Sequence, residues 1–183
     1  MNTGLDPAAL WFRPLTLEEL PLVHRWMHAP HAERWWARDR TVDDVIAQYT
    51  PAIEGQIPIH PVMVAYDAAP IGIVEWMRFR HFPALMKAYG IEDPESVSCG
   101  VLIGEESFAH HGLGGPMICR FLREVPFRDP KCSACFIDPE CDNLSAIRAY
   151  EKAGFRFIRD TTDDEGLAIR LMGLTKEELQ QVR

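Results

Sequence analysis

Hydrophobic positions along the chain change period several times, and each change predicts an element. Leu10-Trp11-Phe12-Arg13-Pro14-Leu15 reads as a short strand. Thr16 and Glu19 then form the pattern of a capping box, and Leu20, Val23, Trp26 and Met27 follow as a stripe at helical spacing. A polar loop, residues 29–40, carries His31, Glu33, Trp35 and Trp36. Thr41 is placed to cap a second helix, with Asp44 at its third position and Val45, Ile46 and Tyr49 along one side. Pro51 and Pro58 bracket the link to two apolar runs, residues 61–66 and 71–79, which predict antiparallel strands joined around Asp67-Ala68-Ala69-Pro70. Residues 82–89 predict a short helix ending at Gly90, and residues 91–96 an acidic loop.

The second half is built around a strand-like run, residues 97–103, followed by His110-His111-Gly112-Leu113-Gly114-Gly115-Pro116 and a helical run. Residues 132–137 predict another strand, closed by Asp138-Pro139. Asn143 is placed to cap a helix that puts Ala146, Ile147 and Tyr150 on one face. Residues 155–160 and 166–174 read as a hairpin around Asp163-Asp164-Glu165-Gly166, and residues 175–183 as a polar tail. Glycines where a loop gives way to a helix let backbone N–H groups approach an anion closely while the helix dipole favours its charge. Gly112, Gly114 and Gly115 therefore suit a phosphate or pyrophosphate.

The block Asn143-x-x-Ala146-x-x-x-Tyr150-x-x-x-Gly154-Phe155 resembles the closing motif of the GNAT superfamily of acyl-CoA-dependent N-acetyltransferases. The preceding loop of that family reads Gln/Arg-x-x-Gly-x-Gly/Ala and cradles the pyrophosphate of coenzyme A. Here Ala109 stands where the Gln or Arg would be, which removes a side-chain contact and keeps the backbone ones. The order strand, helix, helix, hairpin at the start of the chain is also that of the family. The resemblance implies a single domain of α/β (α+β) class, with a mixed, mostly antiparallel sheet, splayed middle strands and flanking helices.

The same resemblance implies the site. Acetyl-CoA would lie with its pantetheine arm along the backbone of Val101, Leu102 and Ile103 and its pyrophosphate on His110, His111, Gly112, Leu113, Gly114 and Gly115, with Asn143 a further contact. Tyr150 matches the family tyrosine that protonates the leaving thiolate. Within the superfamily the chain is most similar to the aminoglycoside 6'-N-acetyltransferases, on Glu33-Arg34-Trp35-Trp36, Gln48-Tyr49, Pro70-Ile71-Gly72, Gly112-Leu113-Gly114 and the stretch from Asp138 to Phe155. Siderophore-building hydroxylysine acyltransferases share much of the pattern. The aminoglycoside enzymes carry an amine-binding Asp where Gly100 stands here, so Glu75, Asp138 and Glu165 become the acidic candidates for that role. Glu75 interrupts an apolar strand, where an unpaired carboxylate is costly. The expectation is that Glu75 and Asp138 bind an ammonium and accept its proton, with Trp35, Trp36, Tyr49, Ser98 and Glu165 completing the acceptor site. The alternatives are acylation of a hydroxylysine or polyamine, and a non-catalytic module that senses acyl-CoA.

Composition narrows the field further. A net charge of −8 disfavours nucleic-acid binding and is compatible with a cationic amine such as an aminoglycoside. Met1 to Leu10 lacks the basic start and long apolar run of a signal peptide, and no apolar stretch is long enough to span a membrane, so a cytoplasmic monomer or homodimer is expected. Cys132-x-x-Cys135 has zinc-like spacing without a second ligand pair, so the five cysteines are expected to be buried free thiols and no metal is expected.

Overall fold

The computed structural model describes residues 5–37, 40–163 and 165–181. The extreme N-terminus, Arg38 and Asp39 of the tryptophan loop, Asp164 of the last hairpin turn and the last two residues of the expected tail lie outside these. Among the described residues, seven strands are hydrogen-bonded in the order β1-β2-β3-β4-β5-β7-β6. They are β1 (Leu10–Pro14), β2 (Ile59–Tyr66), β3 (Ala69–Arg78), β4 (Val97–Ile103), β5 (Ala134–Ile137), β6 (Arg156–Thr162) and β7 (Ala168–Thr175). The helices are α1 (Leu20–Met27), α2 (Glu33–Trp36), α3 (Val42–Ile53), α4 (Pro83–Tyr89), α5 (Gly114–Glu124), α6 (Leu144–Lys152) and α7 (Lys176–Gln181). This is a mixed, mostly antiparallel sheet with flanking helices. Among the described residues, no helix is long and apolar enough to cross a membrane.

The chain forms two compact units, Met1–Trp76 with Gly100–Leu113, and Met77–Cys99 with Gly114–Arg183. In the first, β1 pairs antiparallel with β2, from Leu10↔Tyr66 to Pro14↔Val62. Both predicted capping boxes form: Thr16 with Glu19 opens a 3-10 turn that leads into α1, and Thr41 with Asp44 opens α3. Leu20, Val23, Trp26 and Met27 are all buried and share a core with Val45, Tyr49, Met63, Ile73 and Leu102. Ile46 faces out, 39% exposed, because the inward stripe of α3 runs through Val45, Tyr49 and Ala52. Three local expectations are corrected here. The loop of residues 29–40 contains the one-turn helix α2. Helix α3 continues past Pro51, which sits in its last turn, where few intrahelical bonds remain to be lost. The β2–β3 turn is shorter than expected, with Asp67 at φ 53 and Pro70 already inside β3.

In the second unit β5 pairs parallel with β4 at Val97↔Cys135 and Ser98↔Phe136, and antiparallel with β7 from Ala134↔Thr175 to Ile137↔Met172. Strands β6 and β7 form the expected hairpin. Gly90 ends α4 in the left-handed conformation, as a C-terminal glycine should. Phe79, Tyr89, Ile91, Ile169 and Leu171 form a core of their own. The expected polar tail is instead α7: Thr175 and Glu178 exchange backbone and side-chain hydrogen bonds as a capping box, and Leu179 is buried. All five cysteines are free; four are buried, and Cys141 is half-buried.

A Cβ added at Gly72 would overlap the carbonyl oxygen of Leu102. Backbone cannot move aside as a flexible side chain can. Gly72→Ala is therefore expected to destabilise the fold by about 2–3 kcal/mol, measured by chemical denaturation against wild type.

Candidate active site

In the first unit the site residues are held by α3, β3 and β4. Glu75 is half-buried on β3, and the hydroxyl of Tyr49, a buried residue of α3, donates to its Oε1. Loss of water around the carboxylate pushes its pKa from 4.5 to about 7, although the Arg40 cation draws it partly back. Tyr49, expected to meet substrate, is thus committed to Glu75. Gly100 lies beside Trp36: a Cβ there would stand 3.5 Å from the indole Cη2, an ordinary contact. Trp36 also packs against the first core, and the Arg34 guanidinium lies over the Trp35 ring at 4.5 Å from its centroid.

Backbone direction along β4 sorts the expected cofactor contacts. The N–H of Gly104 donates to Ile71 O at 2.8 Å, and Leu102 O faces Gly72. Groups on successive strand residues point to opposite edges, so Val101 and Ile103 present theirs away from β3. Leu102 does not, and its buried side chain belongs to the first core. In the turn that follows, His110 at φ 61 and Gly112 at φ 75 are both left-handed, and His110, His111 and Gly112 are exposed. Leu113 is buried, so it offers backbone alone.

In the second unit, Gly114 and Gly115 begin α5. A Cβ on Gly115 would come within 3.2 Å of Ala149 O on α6, so this residue must be small for α5 to lie close to α6. Asn143 caps α6, its Oδ1 accepting from the Ala146 N–H at 3.1 Å. Tyr150 is buried, with its ring 5.7 Å from that of Phe155 between centroids. Among the described residues its hydroxyl has no hydrogen-bond partner. Burial, with Asp138 and the thiols of Cys99 and Cys135 nearby, holds its pKa well above the usual phenol value, so it stays protonated. Asp138, at the end of β5, accepts a 2.5 Å hydrogen bond from Tyr89; desolvation raises its pKa against that bond. Ser98 is half-buried opposite Phe136 in the β4–β5 register. Glu165 is exposed in the last turn, its N–H donating to Asp163 Oδ1 at 3.0 Å. The parts played by Tyr89 and Arg40 leave no sign in the sequence, because nothing local marks the partner of a residue many positions away.

Each unit supplies groups that acyl transfer from a phosphate-bearing thioester uses: in the first a carboxyl titrating near neutrality on β3 and a glycine turn, in the second a protonated phenol on α6. A family model for the acetyltransferase (GNAT) domain matches residues 16–162. The chain belongs to the GNAT acetyltransferase family. This GNAT domain is therefore an acyltransferase. It is 29% identical over 178 residues to the aminoglycoside N(6')-acetyltransferase type 1 of Klebsiella pneumoniae, spanning 93% of this chain and 85% of that protein. It is 26% identical to the lysine N-acyltransferase MbtK of Mycolicibacterium paratuberculosis, spanning 87% of this chain and 71% of that protein. The structure of aminoglycoside acetyltransferase AAC(6')-Ib with coenzyme A and kanamycin superposes with a TM-score of 0.80 at 29% identity, over 95% of this chain and 99% of that one.

Glu75 gives this GNAT domain a pH signature. Below pH 4.5 it is protonated folded and unfolded alike, and its burial costs little. As pH rises through its folded value of about 7, the unfolded chain ionises first and stability is lost, on the order of 3 kcal/mol in all. Denaturation of wild type against Glu75→Gln from pH 4 to pH 8 is expected to show wild type losing stability relative to the variant by roughly that amount.

Proposed function

We propose that this acyltransferase moves the acetyl group of acetyl-CoA to the 6'-amine of an aminoglycoside, in a direct ternary complex. The observation that carries the reading is the desolvated Glu75 carboxylate, poised near neutrality in an otherwise apolar strand; the likeness to the aminoglycoside enzyme over 93% of the chain supports a 6'-amine as the acceptor. The residues present suit the donor: the backbone groups of Val101 and the N–H of Ile103, which face away from β3, the left-handed turn at His110 and Gly112, and the amide of Asn143 would hold it. Acetyl-CoA supplies a thioester whose C–S bond breaks as the new N–C bond forms.

The chain's own groups move the protons. Glu75 takes one from the ammonium, directly or through water, leaving the neutral amine that attacks. Its elevated pKa makes it a competent base near pH 7. Tyr150, kept protonated by its surroundings, gives its phenolic proton to the departing thiolate and is made whole again by the second proton that the acylated nitrogen sheds. Tyr49 holds Glu75 in place. Asp138, held by Tyr89, contributes negative charge for a cationic acceptor.

A second reading, lysine-type acylation, draws on Gly100, which lacks the amine-binding carboxylate of the aminoglycoside enzymes, and on the similarity to MbtK. A coupled assay of acetyl-CoA consumption separates the two. Turnover is expected with kanamycin-type sugars and not with a drug lacking the 6'-amine, and the opposite pattern with lysine or N6-hydroxylysine would transfer the assignment. With the best acceptor, Glu75→Gln is expected to lower kcat/KM by about 10²-fold, and Tyr150→Phe to lower kcat by a similar factor. Undiminished rates would remove these roles, and coenzyme A binding without turnover on any amine would point to a sensor.

A further inference from the structure

We infer that His31 and Glu105 are positioning residues for the acyl donor, fixing the exit of β4 from which the glycine turn departs. The inference rests on the proposed donor site along Val101, Ile103 and that turn. Gly104 and Glu105 both donate their N–H to Ile71 O, at 2.8 and 3.1 Å, so the carbonyl of Ile103 faces the opposite edge. His31 reaches it from the segment between α1 and α2, with Nε2 at 2.8 Å from Ile103 O. A carbonyl only accepts, so Nε2 is the donor in this bond and carries a proton. The ring's Nδ1 is buried with no partner among the described residues. A buried polar atom left bare works against the fold, so the bond from Nε2 to Ile103 is what holds the ring in place.

The next two residues are held from the same side. Gly104 lies directly against the Trp26 indole, where any Cβ would overlap the ring. The carboxylate of Glu105 accepts from Trp26 Nε1 at 2.8 Å and from Arg25 Nη2 at 2.6 Å. Trp26 is 1% exposed and anchored in the first core, so Glu105 is tied to a rigid point. His31 also meets the turn itself, edge-on to the His110 ring at 6.1 Å between centroids. Three successive residues, 103 to 105, are thus fixed before the chain turns to meet phosphate. A strand edge and turn that are already ordered lose less conformational freedom when a flexible arm binds along them. Neither His31 nor Glu105 needs to touch the donor to have this effect.

Calorimetric titration of coenzyme A into the full chain, without acceptor, tests the inference. His31→Ala is expected to raise Kd by about 5- to 10-fold, the loss of one hydrogen bond, with KM for acetyl-CoA rising in step and kcat and the acceptor KM unchanged. His31→Gln keeps a donor within reach of Ile103 O and is expected to restore most of the affinity; Glu105→Ala is expected to behave like His31→Ala. Wild-type Kd in both alanine variants, or equal losses in kcat and acceptor KM, would overturn the positioning role. If His31→Ala does not fold, His31→Gln and Glu105→Ala decide it: wild-type Kd in Glu105→Ala, or a weakened Kd in His31→Gln, overturns it. No heat from wild type with coenzyme A would overturn the donor site itself, and the brace with it.

Discussion

A strand that lies within a sheet must satisfy backbone donors and acceptors on both edges, and β4 is the strand where that requirement shapes everything nearby. Toward β3 the fit is so close that position 72 must be glycine, because Leu102 O occupies the space a side chain would need. Toward β5, pairing is carried by Val97 and Ser98 near the start of the strand. Further on, Ile103 finds its acceptor's partner in a side chain, His31, and Val101 offers its groups on that same edge. Unsatisfied peptide groups are costly in a protein and useful to a ligand that carries amides of its own. The remaining machinery of the first unit, from the Trp26 anchor to the glycine turn, follows from where β4 ends.

The elements were legible where local chemistry determines them. Thr16 with Glu19, Thr41 with Asp44 and Asn143 ahead of Ala146 all cap as their spacing requires, since a cap depends on residues within a turn of each other. The same signature, Thr175 with Glu178, is followed by few apolar residues and so reads as a polar tail, yet Leu179 is buried and α7 is tied down by the bonds of Lys176 to Ser133 O and of Arg123 to Leu179 O. Proline at position 51 misled for a related reason: the residue breaks helix interiors, yet in a last turn there is little left to break. The donor turn and the tyrosine helix were readable as motifs. The contacts that tune them were not, since Tyr49 meets Glu75 across 26 positions, Tyr89 meets Asp138 across 49 and Trp26 meets Glu105 across 79.

Desolvation acts on Glu75, Asp138 and Tyr150 in one direction, toward the protonated form, and their different chemistry suits that common push to the different roles proposed for them. A carboxyl raised to about 7 exchanges its proton at working pH, which suits a base that must also reset. A phenol raised further cannot lose its proton to solvent and so retains it for a stronger local base, such as a nascent thiolate. Asp138 is held between burial, which favours its neutral form, and the Tyr89 bond, which favours its charge. A bound cation would tip that balance toward the carboxylate, so Asp138 is suited to respond to the acceptor's charge.

What separates a sugar acceptor from an amino acid is how the part away from the reacting amine is held. An aminoglycoside offers several ammonium groups and hydroxyls, and it is served by carboxylates and open aromatic faces. An amino acid offers a carboxylate of its own, and it needs a cation. Here one face of Trp35 is already covered by Arg34, and the position of the family's amine-binding Asp is Gly100. Both features reduce what a polycation would grip in the first unit and leave the burden on Glu75 and on the chain's overall negative charge. A Cβ at position 100 would already stand at ordinary contact distance from Trp36, so the indole, and not an open space, faces the position where the carboxylate is missing.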